Sequence, residues 1–366
     1  MSADDRFDEH DGRALRRAVE LAARGRTEVE PNPPVGAVVH RAGEILAEGF
    51  HRMYGEAHAE VEALRGLAAA PAGATLVVSL EPCSSTGKKT PPCVPAIVQA
   101  GIRRVVVGEV DPDPRHSGRG VRELEAAGIA VVRAPEGSVP ADLLAEFRLH
   151  LARRRPWTLL KWACGLDGGW TSAERWVSGE AARAEVHRLR GHVDAIVVGS
   201  GTVLSDDPQL TARPPGSPDS PGPRTPVRVV VDRRARVSAS ARAFQGAPTP
   251  PALWFTRAPG DAPQGVERVA LQQRLAAGGD DLEAVGVELR RRGLARILVE
   301  GGPTLAAAFL RAHAVDHAWV FVAAKASAGA AARLATGDAR LDSDFRPRVL
   351  DVQRCGDDAW FKLAVP

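Results

Sequence analysis

Apolar positions fall along this chain in short blocks of two alternating kinds, and the alternation predicts a layered α/β protein. Ala14 to Ala23 carries apolar residues at helical spacing, Val35 to Val39 is a continuous run of strand length, and Ala59 to Ala70 returns to helical spacing. A strand at Thr75–Ser79, a helix at Val94–Ala100, a strand at Arg104–Val107, a helix at Gly120–Ala127 and a strand at Ile129–Arg133 follow. Arg148 to Arg155, a charged stretch ending at Pro156, then reads as a solvated boundary between two domains, residues 1–150 and 151–366. Beyond it come strands at Trp157–Trp162, Ala195–Val198, Val227–Val231, Ala252–Phe255, Arg296–Glu300 and Ala318–Val322, again a sheet covered by helices. A Pro/Gly-rich stretch near 213–226 reads as a surface insertion, and no internal repeat is present.

Composition acts mainly by exclusion. A chain of 366 residues is long enough for two cores, and 44% hydrophobic with 25% charged residues is ordinary for a globular protein. A net charge of +3 is too small to imply a nucleic-acid partner, and 5% aromatic residues offer no base-stacking groove. No apolar run approaches the ~20 residues of a membrane span. The opening Met-Ser-Ala-Asp-Asp-Arg is acidic where a signal peptide would be basic and then apolar. The expectation is a cytoplasmic enzyme of small-molecule chemistry, with no nucleic-acid or membrane partner.

His58-Ala-Glu60, Pro82-Cys83 and Cys93 supply one imidazole, two thiols and a carboxylate. Zn²⁺ accepts an imidazole and two thiolates, and with three protein ligands it keeps a fourth position for a water that it acidifies. Glu60 is then the natural proton carrier between that water and a leaving amine, as in zinc deaminases. Pro92 and the apolar Val94, Ile97 and Val98 place Cys93 on the first turn of a helix, where the dipole favours thiolate. A Cys83–Cys93 disulfide or two core thiols is the alternative, disfavoured in a long intracellular-type chain with few cysteines. Cys164 and Cys355 stand far from this pair, without a second ligand cluster.

In the second half, Ile297–Glu300 runs into Gly301-Gly302-Pro303-Thr304 and a helix from Leu305 to Arg311, and Gly199-Ser-Gly201-Thr202 follows another strand. Both offer backbone N–H groups to an anion. Neither completes G-x-G-x-x-G, because Leu204 takes the last place, and such glycines also serve as plain connectors.

Asn32-Pro-Pro-Val-Gly-Ala-Val, His51, Tyr54-Gly-Glu-Ala-His58-Ala-Glu60, Leu80-Glu-Pro-Cys83, Thr90-Pro-Pro-Cys93 and Asp111-Pro-Asp-Pro with Gly118-Arg-Gly together resemble the deaminase half of the bifunctional riboflavin-biosynthesis deaminase–reductases. Lys161-Trp-Ala-Cys-Gly-Leu-Asp167-Gly, Trp176, Arg190, Gly201-Thr-Val-Leu-Ser-Asp206-Asp-Pro, Leu210-Thr-Ala-Arg213, Val231-Asp232 and Glu300-Gly-Gly-Pro-Thr-Leu extend the likeness to the reductase half.

The resemblance implies a cytidine-deaminase-like α/β/α domain followed by a dihydrofolate-reductase-like α/β domain, with Zn²⁺ and NADPH as cofactors and a phosphorylated pyrimidine as substrate. Oxygen replaces the ring 2-amino group, and hydride then reaches C1′ of the ribose, opening it to a ribitylamino group. His58, Cys83 and Cys93 would hold zinc and Glu60 carry protons. Asn32 and His51 would orient the ring, and Lys88 or Lys89 would meet the phosphate. In the second half Cys164, Trp176, Thr202, Asp206, Arg233 and the segment Gly302, Pro303, Thr304, Leu305, Ala306, Ala307, Ala308 would hold NADPH. Arg190, Leu210, Arg213 and Glu300 would hold substrate. Lys161 and Glu300 are candidates for polarising or protonating the sugar, with a structural ion pair as an equal alternative. A homo-oligomer is also expected, a dimer through the reductase half or a tetramer.

Several positions depart from the family pattern. Ser84-Ser85 stands where relatives carry Ser-His, the loop through Lys88-Lys89 is one residue longer, and Glu174 replaces a serine in a shortened stretch after Gly168. Either Glu174 turns outward and Ser172 takes the serine's place, or the substrate carries less phosphate charge. A homologue diverted to a specialised pyrimidine- or pteridine-derived metabolite, or with one active domain, is the alternative reading. A nucleotide-binding scaffold without turnover is disfavoured by the intact His58, Glu60, Cys83 and Cys93.

Overall fold

Asp8 opens the first helix, α1 (Glu9–Ala23), ahead of the apolar repeat that marks it in the sequence. Its carboxylate accepts from the Asp11 amide at 2.8 Å, and Asp11 in turn accepts from the Asp8 amide at 3.0 Å. This reciprocal cap satisfies two helix N–H groups that have no intrahelical partner. The structure, a computed structural model, describes residues 6–67, 72–84, 90–170, 176–213, 225–245, 251–271, 281–326 and 345–366. The chain divides into two units, Met1–Arg153 and Arg154–Pro366.

In the first unit β1 (Gly36–Arg41), β2 (Glu44–Phe50), β3 (Thr75–Val78), β4 (Arg104–Val107) and β5 (Ala130–Arg133) form a sheet of order β2-β1-β3-β4-β5. β1 lies antiparallel to β2 and β3, while β3, β4 and β5 run parallel. Successive side chains of a strand point to opposite faces. Val38, Val77 and Val106 therefore meet Leu15, Ala18 and Leu21 of α1, and Val39, Val78 and Val107 pack with the helices on the other side. Those helices are α2 (Ala59–Arg65), α3 (Cys93–Gln99) and α4 (Arg119–Ala126). Gly36 and Gly49 allow the close approach: a Cβ on Gly36 would lie 2.0 Å from the Ala18 carbonyl oxygen, and one on Gly49 2.3 Å from the Ala63 nitrogen. The charged stretch that reads as a boundary begins inside a further helix, α5 (Ala145–Ala152).

The second unit is built on a nine-stranded sheet of order β10-β9-β8-β7-β11-β6-β12-β14-β13. Its strands are β6 (Trp157–Gly165), β7 (Ala195–Gly199), β8 (Val227–Val231), β9 (Ala252–Thr256), β10 (Val266–Ala270), β11 (Arg296–Val299), β12 (His317–Ala323), β13 (Arg348–Cys355) and β14 (Asp358–Ala364). From β10 through β12 the strands are parallel, and β14 and β13 add an antiparallel end. Leu159, Ile196, Val230 and Leu298 face α6 (Glu180–Arg190), and Leu160, Val197, Val229 and Val299 face α8 (Asp281–Arg291) and α9 (Pro303–Arg311). A short helix, α7 (Ser200–Asp206), follows β7 directly where the sequence reads as a glycine turn.

The apolar pattern does not mark β2, β10, β13 or β14. β2, β10 and β13 form sheet edges, where one or both faces meet solvent and the side chains need not be apolar.

Candidate functional site

In the first unit, three elements bring the ligand atoms together. His58 is the N-cap of α2, Cys93 is the first residue of α3, as its sequence surroundings predict, and Cys83 ends the segment that leaves β3. The Cys83 carbonyl accepts from the Cys93 and Val94 amides at 2.9 and 3.2 Å, so the long loop between the cysteines closes back on its start. His58 Nδ1 lies 3.2 Å from Cys93 Sγ and 3.4 Å from Cys83 Sγ, and the two sulfurs are 3.6 Å apart. Zn–N and Zn–S bonds of ~2.0 and ~2.3 Å at tetrahedral angles require edges of roughly 3.5–3.8 Å, so the donor set fits zinc. Both cysteines are free, which removes the disulfide alternative.

The far nitrogen of His58 is also engaged: Nε2 sits 3.1 Å from Thr90 Oγ1. A hydrogen bond there leaves Nδ1 to face the sulfurs and holds the ring in orientation. The hydrogen bond with Cys93 pulls Cys83 down to about 4, and the same contact, with burial, pushes Cys93 up. Glu60, on the first turn of α2, is only 3% exposed, and burial raises its carboxyl above the usual range.

Asn32 and His51 meet on the approach to this cluster. The Ala57 carbonyl lies 3.0 Å from His51 Nδ1, which must donate to it, so Nε2 accepts from Asn32 Nδ2 at 3.1 Å. The His51 ring meets that of His58 edge-on, with centroids 5.2 Å apart. Glu81 anchors the Pro82-Cys83 turn from below. Its buried carboxylate accepts from the Asp111, Gly118 and Val121 amides at 3.1, 2.8 and 3.1 Å, capping α4, whose own N-cap, Gly118, has no side chain. A Cβ on Gly120 would fall 2.0 Å from the Pro82 carbonyl oxygen, so only glycine lets α4 come this close.

In the second unit a cavity of about 1700 Å³ opens beside the carboxyl ends of β7, β8 and β11. Open α/β sheets bind ligands at such ends. Single-ligand sites occupy ~300–1,000 Å³, so this one has room for a cofactor and a substrate together. Lys161, Arg190, Leu210, Arg213 and Glu300 line it, as do Trp176, Thr202, Asp206 and Arg233. Gly302, Pro303, Thr304, Leu305 and Ala308 also line it, at the start of α9, where Thr202 Oγ1 accepts from the Gly302 amide at 3.0 Å. Cys164, Ala306 and Ala307 are buried and do not belong to the lining: Cys164 lies in register beside Val322 of the neighbouring strand β12, and the two alanines lie on the packed side of α9.

The structure supplies charge partners that the sequence does not name. Glu300 is bound by Arg190, Nε to Oε1 at 2.7 Å and Nη2 to Oε2 at 2.8 Å, rather than by Lys161. Burial alone would raise the Glu300 carboxyl, but Arg190, Lys161 and His187 outweigh it and hold it below its ordinary value. Burial lowers the Lys161 ammonium, against an opposing pull from Glu300. Arg233 is ion-paired with Asp281 of α8, which also binds Arg257 at 2.9 Å. Arg234 lines the same cavity without a hydrogen-bond or ion-pair partner among the described residues, and Arg236 donates to Ser200 Oγ at 2.7 Å.

Thr90, Glu81, His187 and Arg236 are contacts to which the motifs assign no role. Glu81 and Thr90 do stand inside the cysteine motifs, and His187 carries a spacing signal, since Arg183, His187 and Arg190 recur along one helix face. Ser85, Lys88, Lys89, Ser172, Glu174 and residues 214–224 of the insertion lie outside the described residues.

Residues 8–109 match the family model of the cytidine and deoxycytidylate deaminase zinc-binding region, and residues 156–361 match that of the RibD C-terminal domain. The riboflavin biosynthesis protein RibD of Escherichia coli K12 is 38% identical over 95% of this chain and 98% of its own length. This chain belongs to the RibD family. RibD of Aquifex aeolicus is 34% identical over 96% of this chain and 97% of its own. Among solved structures, Acinetobacter baumannii RibD shares the fold with a TM-score of 0.71 at 31% identity, covering 98% of this chain and 99% of that one. The Thermotoga maritima diaminohydroxyphosphoribosylaminopyrimidine deaminase/5-amino-6-(5-phosphoribosylamino)uracil reductase gives 0.68 at 33%, with the same coverage. As a RibD protein the chain is a bifunctional deaminase and reductase of riboflavin biosynthesis that uses zinc and NADPH. Among the described residues no helix is long and apolar enough to cross a membrane.

Proposed function

We propose that the first unit deaminates diaminohydroxyphosphoribosylaminopyrimidine and the second reduces 5-amino-6-(5-phosphoribosylamino)uracil, the compounds for which the Thermotoga maritima relative is named. The observation that carries this reading is the triangle of His58, Cys83 and Cys93 beside the buried carboxylate of Glu60. Zinc held there would supply an acidified water. Glu60 would accept a proton and pass it to the departing 2-amino group, which leaves as ammonia. Asn32 and His51, already hydrogen-bonded to each other, would orient the ring, with Lys88 or Lys89 on the phosphate.

For the reduction NADPH supplies hydride to C1′. The bond from C1′ to the ribose ring oxygen breaks and that oxygen gains a proton, for which Lys161 is the candidate donor. Arg190, Leu210, Arg213 and Glu300 would hold the substrate, the phosphate meeting Arg213. Trp176, Thr202, Asp206, Arg233 and Gly302 to Ala308 would hold the cofactor, Ala306, Ala307 and Cys164 contributing through packing. A cytoplasmic homo-oligomer, joined through the second unit, completes the proposal.

Incubating the purified protein with diaminohydroxyphosphoribosylaminopyrimidine, with and without NADPH, tests it. Ammonia release should need no NADPH, and the ribityl product should form only with it. Failure to release ammonia from the zinc-loaded protein would remove the first assignment, and NADPH-independent formation of the ribityl product the second.

A further inference from the structure

One imidazole in the reductase cavity has no role in the proposal above. His187 lines the cavity from α6, one turn before Arg190. Its Nδ1 lies 3.2 Å from the Thr211 carbonyl oxygen and its Nε2 3.3 Å from Arg213 Nη2. A carbonyl can only accept and a guanidinium can only donate, so Nδ1 carries the proton and Nε2 offers its lone pair to Arg213. The surroundings favour that neutral ring: burial, then the charges of Arg190 and Arg213, hold the imidazole down to about 4. Arg190 Nη1 donates to the same Thr211 carbonyl at 3.2 Å, so one backbone oxygen ties both α6 side chains to the segment that carries Arg213. Leu210 directs this segment from a buried left-handed conformation, φ +55°.

We propose that His187 is a positioning residue of the reductase, whose neutral ring, braced on the Thr211 carbonyl, holds the Arg213 guanidinium ready for the phosphomonoester of the substrate. The inference rests on the reading of Arg213 as the phosphate contact. A long flexible side chain loses rotamer freedom when it binds, and a hydrogen bond that holds it beforehand moves that loss from binding into folding. Arginine held in this way presents its planar fork to phosphate oxygens at the outset.

Steady-state reductase kinetics of the full-length, NADPH-supplied protein test this, with 5-amino-6-(5-phosphoribosylamino)uracil and its dephosphorylated form as the two probes. His187→Leu fills the space without a hydrogen bond, whereas the side-chain carbonyl of His187→Gln reaches the place of Nε2 and can accept from Arg213. His187→Leu should raise KM for the phosphorylated probe by about tenfold, the loss expected for one hydrogen bond to a charged group. The loss should fall on KM rather than kcat, should be small with the dephosphorylated probe, and should be largely recovered in His187→Gln. If Arg213→Ala raises KM for the phosphorylated probe but His187→Leu does not, the positioning role is overturned while the phosphate reading stands. If Arg213→Ala also leaves KM unchanged, the phosphate reading falls with it. Equal damage to both probes in Leu and Gln variants alike would make His187 a packing residue and overturn the inference. Because the probes are compared within each variant, a loss of folded protein cannot imitate the expected result.

Discussion

Arg190 binds Glu300 through two parallel hydrogen bonds of 2.7 and 2.8 Å, and both carboxylate oxygens are therefore engaged before any ligand arrives. The carboxylate keeps a negative charge beside Lys161 in a setting where burial would otherwise neutralise it. Removing one member of a buried pair leaves the other charge uncompensated, at a cost of about 3–5 kcal/mol. Glu300→Gln should thus lower the unfolding temperature. It should also move the Lys161 ammonium further down, because Glu300 is the group that pulls it up. If Lys161 is the proton donor, the alkaline limb of the reductase kcat profile shifts to lower pH in this variant. An unshifted limb would remove Lys161 from that role.

Zinc content separates the ligands from the proton carrier. Elemental analysis should find one zinc per chain, lost in Cys83→Ala, because His58 and Cys93 alone leave the site open on two sides. Glu60→Gln should keep the metal and lose deamination by roughly 10²–10⁴-fold, the contribution of a positioned acid–base group. Retained deamination in the zinc-loaded Gln variant would sink the assignment.

Thr90 offers a measure of how tightly His58 must be aimed. Replacing a hydroxyl that orients a metal-bound imidazole weakens metal binding by roughly 10–100-fold. Thr90→Val should show that loss in a chelator competition titration, and Thr90→Ser should restore the affinity. Equal zinc affinity in Val and Ser variants would mean that the 3.1 Å contact to His58 does not orient the ring.

Cofactor preference is expected to rest on the arginines after β8. Because Asp281 already engages Arg233, a 2′-phosphate would have to displace it there, whereas Arg234 meets no such competitor among the described residues. NADPH should be preferred to NADH, and Arg234→Ala should erode that preference more than Arg233→Ala. The ratio of kcat/KM for the two cofactors decides it, and the reverse order would return the main contact to Arg233.

His187 should be silent across the neutral range. Its folded pKa of about 4 lies below the ordinary 6.5, so between those values the unfolded chain binds more protons than the folded one. Its contribution to stability is therefore complete above pH 6.5 and is lost as the pH falls toward 4. In an NMR titration the His187 ring should show no inflection between pH 5.5 and 8, and an inflection near 6.5 would contradict the buried, doubly flanked environment.

The metal site was legible because its information is chemical and local. Few residue types bind zinc, and His58, Cys83 and Cys93 each sit at a helix start or strand exit that apolar periodicity could mark. The longer spacing between the cysteines obscured nothing, since two backbone bonds to the Cys83 carbonyl bring the start of α3 back to it. Edge strands were harder to read: β2 and β13 expose much of their length, and without burial on both faces no apolar run is required.

The sequence by itself determined two α/β halves and the metal ligands with their carboxylate, because identity and periodicity specify these directly; the residues of the reductase cavity came only from the family resemblance, and Cys164, Ala306 and Ala307 among them do not line it. Tertiary structure alone decided the pairing of charges. Glu300 meets Arg190 instead of Lys161, Arg233 meets Asp281 from α8, and His187 meets Arg213 from a loop. An arginine looks the same in sequence whether it faces a ligand, a carboxylate or water. Its partner is set by which strands and helices pack side by side, and no local spacing records that.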